Sequence, residues 1–504
     1  MLEIKNISLN LSLNDRNLVE NFSFELASGD KAVIIGEEGN GKSTLLKFIY
    51  DESLVDGYCD YSGQILKKGT LAYLPQSFPE KELALTLEEY FSGCTNPQIL
   101  SRIGLGIEII TSKQMISTLS GGEKIKIQLA KILESEPDIL LLDEPTNDLD
   151  LPTLEWLENF IVTCRQPVIF ISHDETLIER TANVIIHMEQ LMRKTKAKIT
   201  ITYSNYAKYV KNRNTAFHKQ RQVAKKQRAD HKAQMARWKQ IHDKVDHQGK
   251  NIAKEDRDAA GRLLKKKMKA VKSTGRRLEK QSEDFLELPD MEEAILTQFD
   301  SSLTIPQGKV ILALELIELR INERQLASSV SLNINGPQRV GIVGRNGVGK
   351  STFLRKIWEA LADRKDITAA YMPQDYAEVL DYESPVIDFL ASDGHKSTIT
   401  KVRTYLGSMK FTADEMLGKI SKLSGGQKAK VLFLDMVLKK ANVLVLDEPT
   451  RNFSPLSVPE IRKTLTNFGG AIISVSHDRK YLSEVCERVY ELTEDGLRPA
   501  VQDV

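Results

Sequence analysis

Two glycine-rich loops, GEEGNGKST (36–44) and GRNGVGKST (344–352), each place three glycines ahead of a lysine and two hydroxyl residues. Glycine lets backbone N–H groups turn towards an anion without a Cβ in the way. In the first loop Gly36, Gly39 and Gly41 supply that freedom. Lys42 is spaced to reach β- and γ-phosphates, Ser43 is suited to Mg²⁺, and Thr44 follows in the same turn. Gly344, Gly347, Gly349, Lys350, Ser351 and Thr352 repeat the set. Further along, Asp143 with Glu144 and Asp447 with Glu448 end apolar runs. The aspartate of such a pair can help hold a metal and the glutamate can polarise a water. Phosphoryl transfer needs that combination, since it depends mostly on placement and charge neutralisation. His173 and His477 each follow their glutamate by 29 residues, a position from which an imidazole can contact a γ-phosphate. A lone histidine is more often structural; two at one spacing are not.

These residues recur because the chain repeats. LSGGE (119–123) returns as LSGGQ (423–427), and FISHD (170–174) as SVSHD (474–478). Gly121 to Glu144 and Gly425 to Glu448 are both 23 residues, and matching positions over this half keep a constant offset of 304. The elements that position them read as α/β. The runs KAVIIG (31–36), DILLLD (138–143) and VIFIS (168–172) suit buried strands, while STLLKFIY (43–50) and EKIKIQLAKIL (123–133) suit helices. In open α/β sheets ligands gather at the carboxyl ends of strands, where these loops fall.

Length and composition set the outer bounds. A chain of 504 residues exceeds one ordinary core. Its 28% charged and 41% hydrophobic residues are those of a water-soluble globular protein. The cysteines Cys59, Cys94, Cys164 and Cys486 include no CxxC pair, so a disulfide or zinc framework is not expected. No apolar run approaches the roughly 18–20 residues of a membrane helix, and the opening MLEIKNISLN does not read as a secretory signal. A cytoplasmic protein is expected.

The net charge of +1 conceals a separation. Residues 205–281 hold 24 Lys and Arg against 7 Asp and Glu, and the remainder is acidic. Tyr203 to Gln248 has no glycine or proline, and Val210, Phe217, Ala224, His231, Trp238 and Val245 recur every seven residues. Leu264, Met268, Val271 and Leu278 mark a second helix after a turn expected near Gly249. Two helices with narrow apolar seams make an antiparallel hairpin, about 60 Å long at roughly 1.5 Å per residue. A mere spacer would not need such charge, which fits a polyanion with salt-sensitive affinity. Phe217, Trp238 and Tyr206 could stack on bases, although seam packing accounts for the first two.

With loops, LSGG motifs, DEPT motifs and histidines together, the chain resembles ATP-binding cassette ATPases. Gln76 and Gln374, in YLPQ and YMPQ, stand at the positions of that family's Q-loop and are expected near Mg²⁺. The resemblance implies head-to-tail pairing of the two domains within a monomer. One ATP would lie between Lys42, Glu144 and His173 and the signature residues Ser424, Gly425 and Gly426. The other would lie between Lys350, Glu448 and His477 and Ser120, Gly121 and Gly122. Mg²⁺ would be held by Ser43, Gln76 and Asp143, and by Ser351, Gln374 and Asp447. The expected domains are 1–194, the basic helical linker 195–305, and 306–504.

Two positions depart from the family pattern. NLSLND and ELRINE hold no aromatic residue for stacking on adenine, so aliphatic packing is expected. After DEPT, Asn147, Asp148 and Asp150 of the first copy become Arg451, Asn452 and Ser454 in the second. By resemblance this D-loop crosses to the partner site, so unequal sites are expected. Tandem cassettes with a long basic linker look most like the F subfamily, ABC-F, whose members bind the ribosome near the tRNA exit site. Contacts with 23S rRNA and P-site tRNA are thereby implied. Gln76 to Leu119 spans 43 residues and Gln374 to Leu423 spans 49, so no inserted arm is expected. The chain also stops 27 residues after His477, where no C-terminal extension is expected. Arm-poor members of this kind resemble the ribosome-protection proteins of antibiotic resistance. A housekeeping translation factor, a transporter's ATPase subunit and a DNA-associated structural ATPase remain open on the same residues.

Overall fold

A computed structural model describes residues 2–13, 16–92, 96–147, 149–250, 257–281, 285–286, 299, 303–321 and 324–500. Two compact units emerge, one comprising Met1–Tyr206 with Glu292–Val504 and the other Ala207–Met291.

The larger unit contains both copies. In the first, parallel strands lie in the order Leu71–Leu74, Ile139–Asp143, Val168–Ile171, Lys31–Ile35 and Val184–Gln190, edged by antiparallel Lys196–Thr202. That edge strand lies inside the 195–305 segment expected to be linker. The second copy repeats the order with Ala369–Met372, Val443–Asp447, Ala471–Val475, Arg339–Val343 and Arg488–Thr493, edged by Gly496–Pro499. The inner strands Lys31–Ile35, Ile139–Asp143, Val443–Asp447 and Ala471–Val475 are buried along their whole length. Such strands are covered on both faces, which is why they read as unbroken apolar runs.

Each phosphate loop leads from a central strand into a helix, Lys42–Tyr50 or Lys350–Ala362. Gly41 (φ 87°) and Gly349 (φ 104°) take the left-handed conformation at those helix starts. A Cβ at either would run into Leu18 or Leu326 at under 3 Å, so glycine is required twice over. The LSGG segments start helices for a different reason. Ser120 and Ser424 close capping boxes with Glu123 and Gln427, opening Gly121–Leu133 and Gly425–Leu438. Each such cap contributes about 1 kcal/mol and leaves the remaining first-turn amides pointing outward.

The smaller unit is dominated by helices Tyr206–Lys250 and Arg257–Gln281. The first continues through Gly249, where the sequence predicts a turn; one glycine costs only about 1 kcal/mol among strong helix formers. The turn, 251–256, lies outside the described residues. The seam positions do pack: Ala224, Val245 and Leu278 are buried. Trp238 Nε1 donates to Val271 O at 2.8 Å and its ring covers Gly275, where a Cβ would clash. His231 Nε2 meets Leu278 O at 3.0 Å. Trp238 and Phe217 are half-buried, whereas Tyr206, the third ring considered for base stacking, is buried at 1% exposure and offers no face. Lys225, Lys226, Lys265, Lys266, Lys267 and Arg277 are exposed. Among the described residues no helix is long and apolar enough to cross a membrane.

Candidate functional site

The two copies face each other head to tail within the larger unit. A cavity of about 760 Å³ brings Asn346, Lys350, Ser351, Thr352, Gln374, Asp447, Glu448 and His477 opposite Ser120 and Gly121 of the first copy. A second, of about 310 Å³, gathers Lys42, Ser43, Thr44, Gln76, Glu144 and His173 beside Arg451 and Asn452 of the second copy. Leu11 and Leu18 line the one, and Ile321 and Leu326 the other. Of the signature residues, Gly122, Ser424, Gly425 and Gly426 line neither cavity; Gly122 packs against Thr153, and the Gly426 amide donates to Glu38.

Around the first loop the lysine, the serine and the acidic pair are all hydrogen-bonded. Lys42 Nζ donates to Gly36 O and Glu37 O, both at 2.9 Å. Ser43 Oγ donates to Asp143 Oδ1 at 2.8 Å, and Tyr73 donates to Asp143 Oδ2 at 2.9 Å. Glu144 accepts from Gln76 and Asn147, each at 2.8 Å, and stands 3.4 Å from His173 Nε2. Burial alone would raise Glu144, but the hydrogen bond and charge of His173, then Lys42 and Asn147, hold it down at about 2. His173 Nδ1 in turn meets Phe453 O of the other copy at 2.7 Å, so the first site's histidine is seated by the second copy's D-loop.

The second loop repeats the plan, with fewer hydrogen bonds to its glutamate. Lys350 Nζ donates to Gly344 O and Arg345 O at 2.9 and 3.1 Å. Glu448 accepts from the His477 backbone at 3.3 Å, while His477 Nε2 is 3.9 Å away. Burial, with Asp447 beside it, pushes Glu448 up to about 8, and burial with Lys350 lowers His477 to about 4. Among the described residues, Asp447 Oδ2 and Glu448 Oε1 are buried without a hydrogen-bond partner. Two unsatisfied carboxylate oxygens beside a serine hydroxyl fit a divalent cation and its waters. Glu144 (φ 48°) and Glu448 (φ 50°) both adopt the left-handed region. The turn that follows each aspartate strand therefore has the same conformation in both copies.

The altered D-loop has a partner that spacing did not reveal. In the second site Asp150 of the first copy accepts from the Asn346 backbone. In the first site the counterpart of Asp150 is Ser454, and the carboxylate comes from the opposite side. Glu37, in the first phosphate loop, accepts from Ser454 Oγ at 2.9 Å and from Ser457 Oγ, with Lys430 Nζ at 3.7 Å. Lys430 and the two serines outweigh burial and keep Glu37 ionised. Lys126, the counterpart of Lys430, lies over the Trp156 ring instead, 5.0 Å from its centroid. The acid missing from the second D-loop has therefore crossed the interface. Asp148 lies outside the described residues.

A network of charge holds the same interface beyond the loops. Arg479 pairs with Glu158, Arg462 with Glu175 at 2.8 Å, and Lys480 with Glu175 and Glu179 at 3.0 and 2.7 Å. Sequence reasoning assigns no role to Tyr73, although it opens YLPQ, or to Glu37, Glu38 and these pairs; the acids inside GEEG are the one further signal.

Asp174 caps helix Glu175–Thr181 within this network, and burial beside Asp478 and Glu158 raises it to about 6 despite Arg479. An unfolded Asp titrates near 4. The folded state then binds more protons between those values, so stability falls as pH rises through that window. Asp174→Asn keeps a capping oxygen and removes the charge. It is expected to stabilise the chain by roughly 2–3 kcal/mol above pH 6. The gain should shrink as pH falls towards 4; urea melts at pH 7.5 and 5 check both statements.

The profile described as ABC transporter matches residues 19–147 and 327–451. ATP-binding protein Uup of Buchnera aphidicola subsp. Acyrthosiphon pisum is 27% identical, over 98% of this chain and 81% of its own. ABC transporter F family member 2 of Arabidopsis thaliana is 26% identical, over 98% and 77%. Among solved structures, the complex of archaeal ribosomal stalk protein aP1 and archaeal ribosome recycling factor aABCE1 aligns with a TM-score of 0.60. It covers 99% of this chain and 90% of that one at 16% identity, a likeness of fold.

Proposed function

Because this chain belongs to the ABC transporter family, we propose that it is an ATP-hydrolysing F-subfamily protein that binds the large ribosomal subunit in the cytoplasm. The observation that carries the reading is the Ala207–Met291 unit, whose seam side chains pack between the helices while, among the described residues, its lysines and arginines other than the half-buried Arg213 are exposed. A surface of that kind suits an RNA-walled cavity near the tRNA exit site, where 23S rRNA and P-site tRNA present phosphates.

Within the cassettes, Lys42 and Lys350 bind the phosphates with the loop amides, and Ser120 with Gly121 and Ser424 with Gly425 and Gly426 bind from the opposite copy. Mg²⁺ held by Ser43, Gln76 and Asp143, and by Ser351, Gln374 and Asp447, would neutralise phosphate charge. Glu144 and Glu448 orient the attacking water and accept its proton, while His173 and His477 fix the glutamates beside it. The paired, ATP-filled form binds the ribosome and hydrolysis releases it. Displacement of antibiotics from the peptidyl-transferase region is the role this reading favours within the subfamily.

Co-sedimentation with 50S particles in ATP tests the reading, using the E144Q, E448Q chain to hold the bound form. Enrichment is expected, and no enrichment removes the proposal. Replacing Lys265, Lys266 and Lys267 with glutamine should flatten the dependence of log affinity on log salt by about 0.7–0.9 for each phosphate no longer neutralised. An unchanged slope would take the basic face out of the interface. Drug susceptibility of a deletion strain separates protection from housekeeping translation.

A further inference from the structure

The first phosphate loop contains two consecutive acids where the second has Arg345 and Asn346. Glu37 is engaged with Ser454, Ser457 and Lys430. Glu38 does something else. Its Oε2 accepts from the Gly426 backbone at 2.5 Å, and a Cβ built on Gly425 would lie 2.9 Å from the same oxygen. The carboxylate thus caps the start of the 14-residue helix Gly425–Leu438, whose first amides and dipole attract an anion. It borders the cavity that holds Lys42, Ser43 and Glu144. At the matching place in the second loop, Asn346 is neutral and its backbone donates to Asp150.

We propose that Glu38 is a resident anion at the first site, occupying the opposing helix start that the terminal phosphate of a nucleoside triphosphate would otherwise claim. The inference rests on the nucleotide-binding reading above and adds an order to it. The second loop, with no acid of its own, loads first. The first loop loads only when Glu38 gives up the Gly426 amide, which requires the Gly425 helix to shift or the side chain to swing away. Because Glu38 competes for the terminal phosphate's position, it discriminates against triphosphate more than diphosphate at this site. Like charge inside a partly buried loop reinforces the effect, since two anions a few ångström apart repel strongly at low effective dielectric. The two sites are thus unequal in filling.

The test isolates the first site in the full chain with Lys350→Ala and measures ATP and ADP binding by calorimetry without turnover, in the Glu144→Gln background. Adding Glu38→Asn, the residue the second loop already uses, is expected to tighten ATP about tenfold and ADP less than threefold. Glu38→Gln, which keeps the length of the side chain, should do the same. Unchanged ATP affinity overturns the proposal, as does equal tightening of ATP and ADP, which would indicate diffuse charge alone. If the unmodified chain binds neither nucleotide, the nucleotide-binding reading falls and this inference with it. If it binds both and the Glu38 variants match it, only the Glu38 assignment falls.

Discussion

A chain carrying E144Q and E448Q is expected to bind ATP and release phosphate at least a hundredfold more slowly than the unmodified protein. Glutamine keeps the size of the side chain and one oxygen, so the contacts of Glu144 with Gln76 and Asn147 need little rearrangement. It removes the charge that accepts a proton from the attacking water, a contribution of roughly 10²–10⁴ in rate. The single variants should differ. Glu144 is held by two side-chain donors and His173, whereas Glu448 accepts from the His477 backbone. Steady-state phosphate release from the two single variants measures this. Identical rates would mean that the exchanged D-loop residues leave the two sites equivalent.

The second large effect lies away from the chemistry. Glu158 is 2% exposed and accepts from Arg479 of the other copy. Glu158→Ala strands a largely buried guanidinium, and breaking a buried pair this way costs about 3–5 kcal/mol. Arg180 also reaches Glu158 at 2.8 Å, but it is mostly exposed and can turn to water. The denaturation midpoint should fall, and ATP turnover should fall with it, because both cavities need the copies paired. Replacing Glu158 and Arg479 together with methionine is the control. If the double replacement is as damaging as the single one, the loss reflects packing at Glu158 rather than the stranded charge.

The motifs are legible in the sequence because each one is local. A glycine loop, a capping box and an acidic pair at a strand end are written in consecutive residues, and a duplicated chain writes them twice. The hairpin seam is legible for a similar reason, since a heptad repeat is a local period. The partner of the altered D-loop is not. Ser454 and Glu37 are 417 residues apart, and nothing in either stretch points to the other. Tyr73 gives no local sign of its role, because its bond to Asp143 depends on neighbouring strands, 70 residues apart in sequence. The Gly249 turn fails differently: a local signal is outweighed by the helix formers preceding it.

The crossing of that carboxylate also bears on which halves can marry. Two first halves from neighbouring chains, brought together head to tail, would set Glu37 against the Asp150 loop, acid against acid, with Lys126 committed to Trp156. Two second halves would set Arg345, not Glu37, against Ser454 and Lys430. Only one of each kind completes the lock. A first half expressed alone is therefore expected to self-associate less readily than it pairs with a second half.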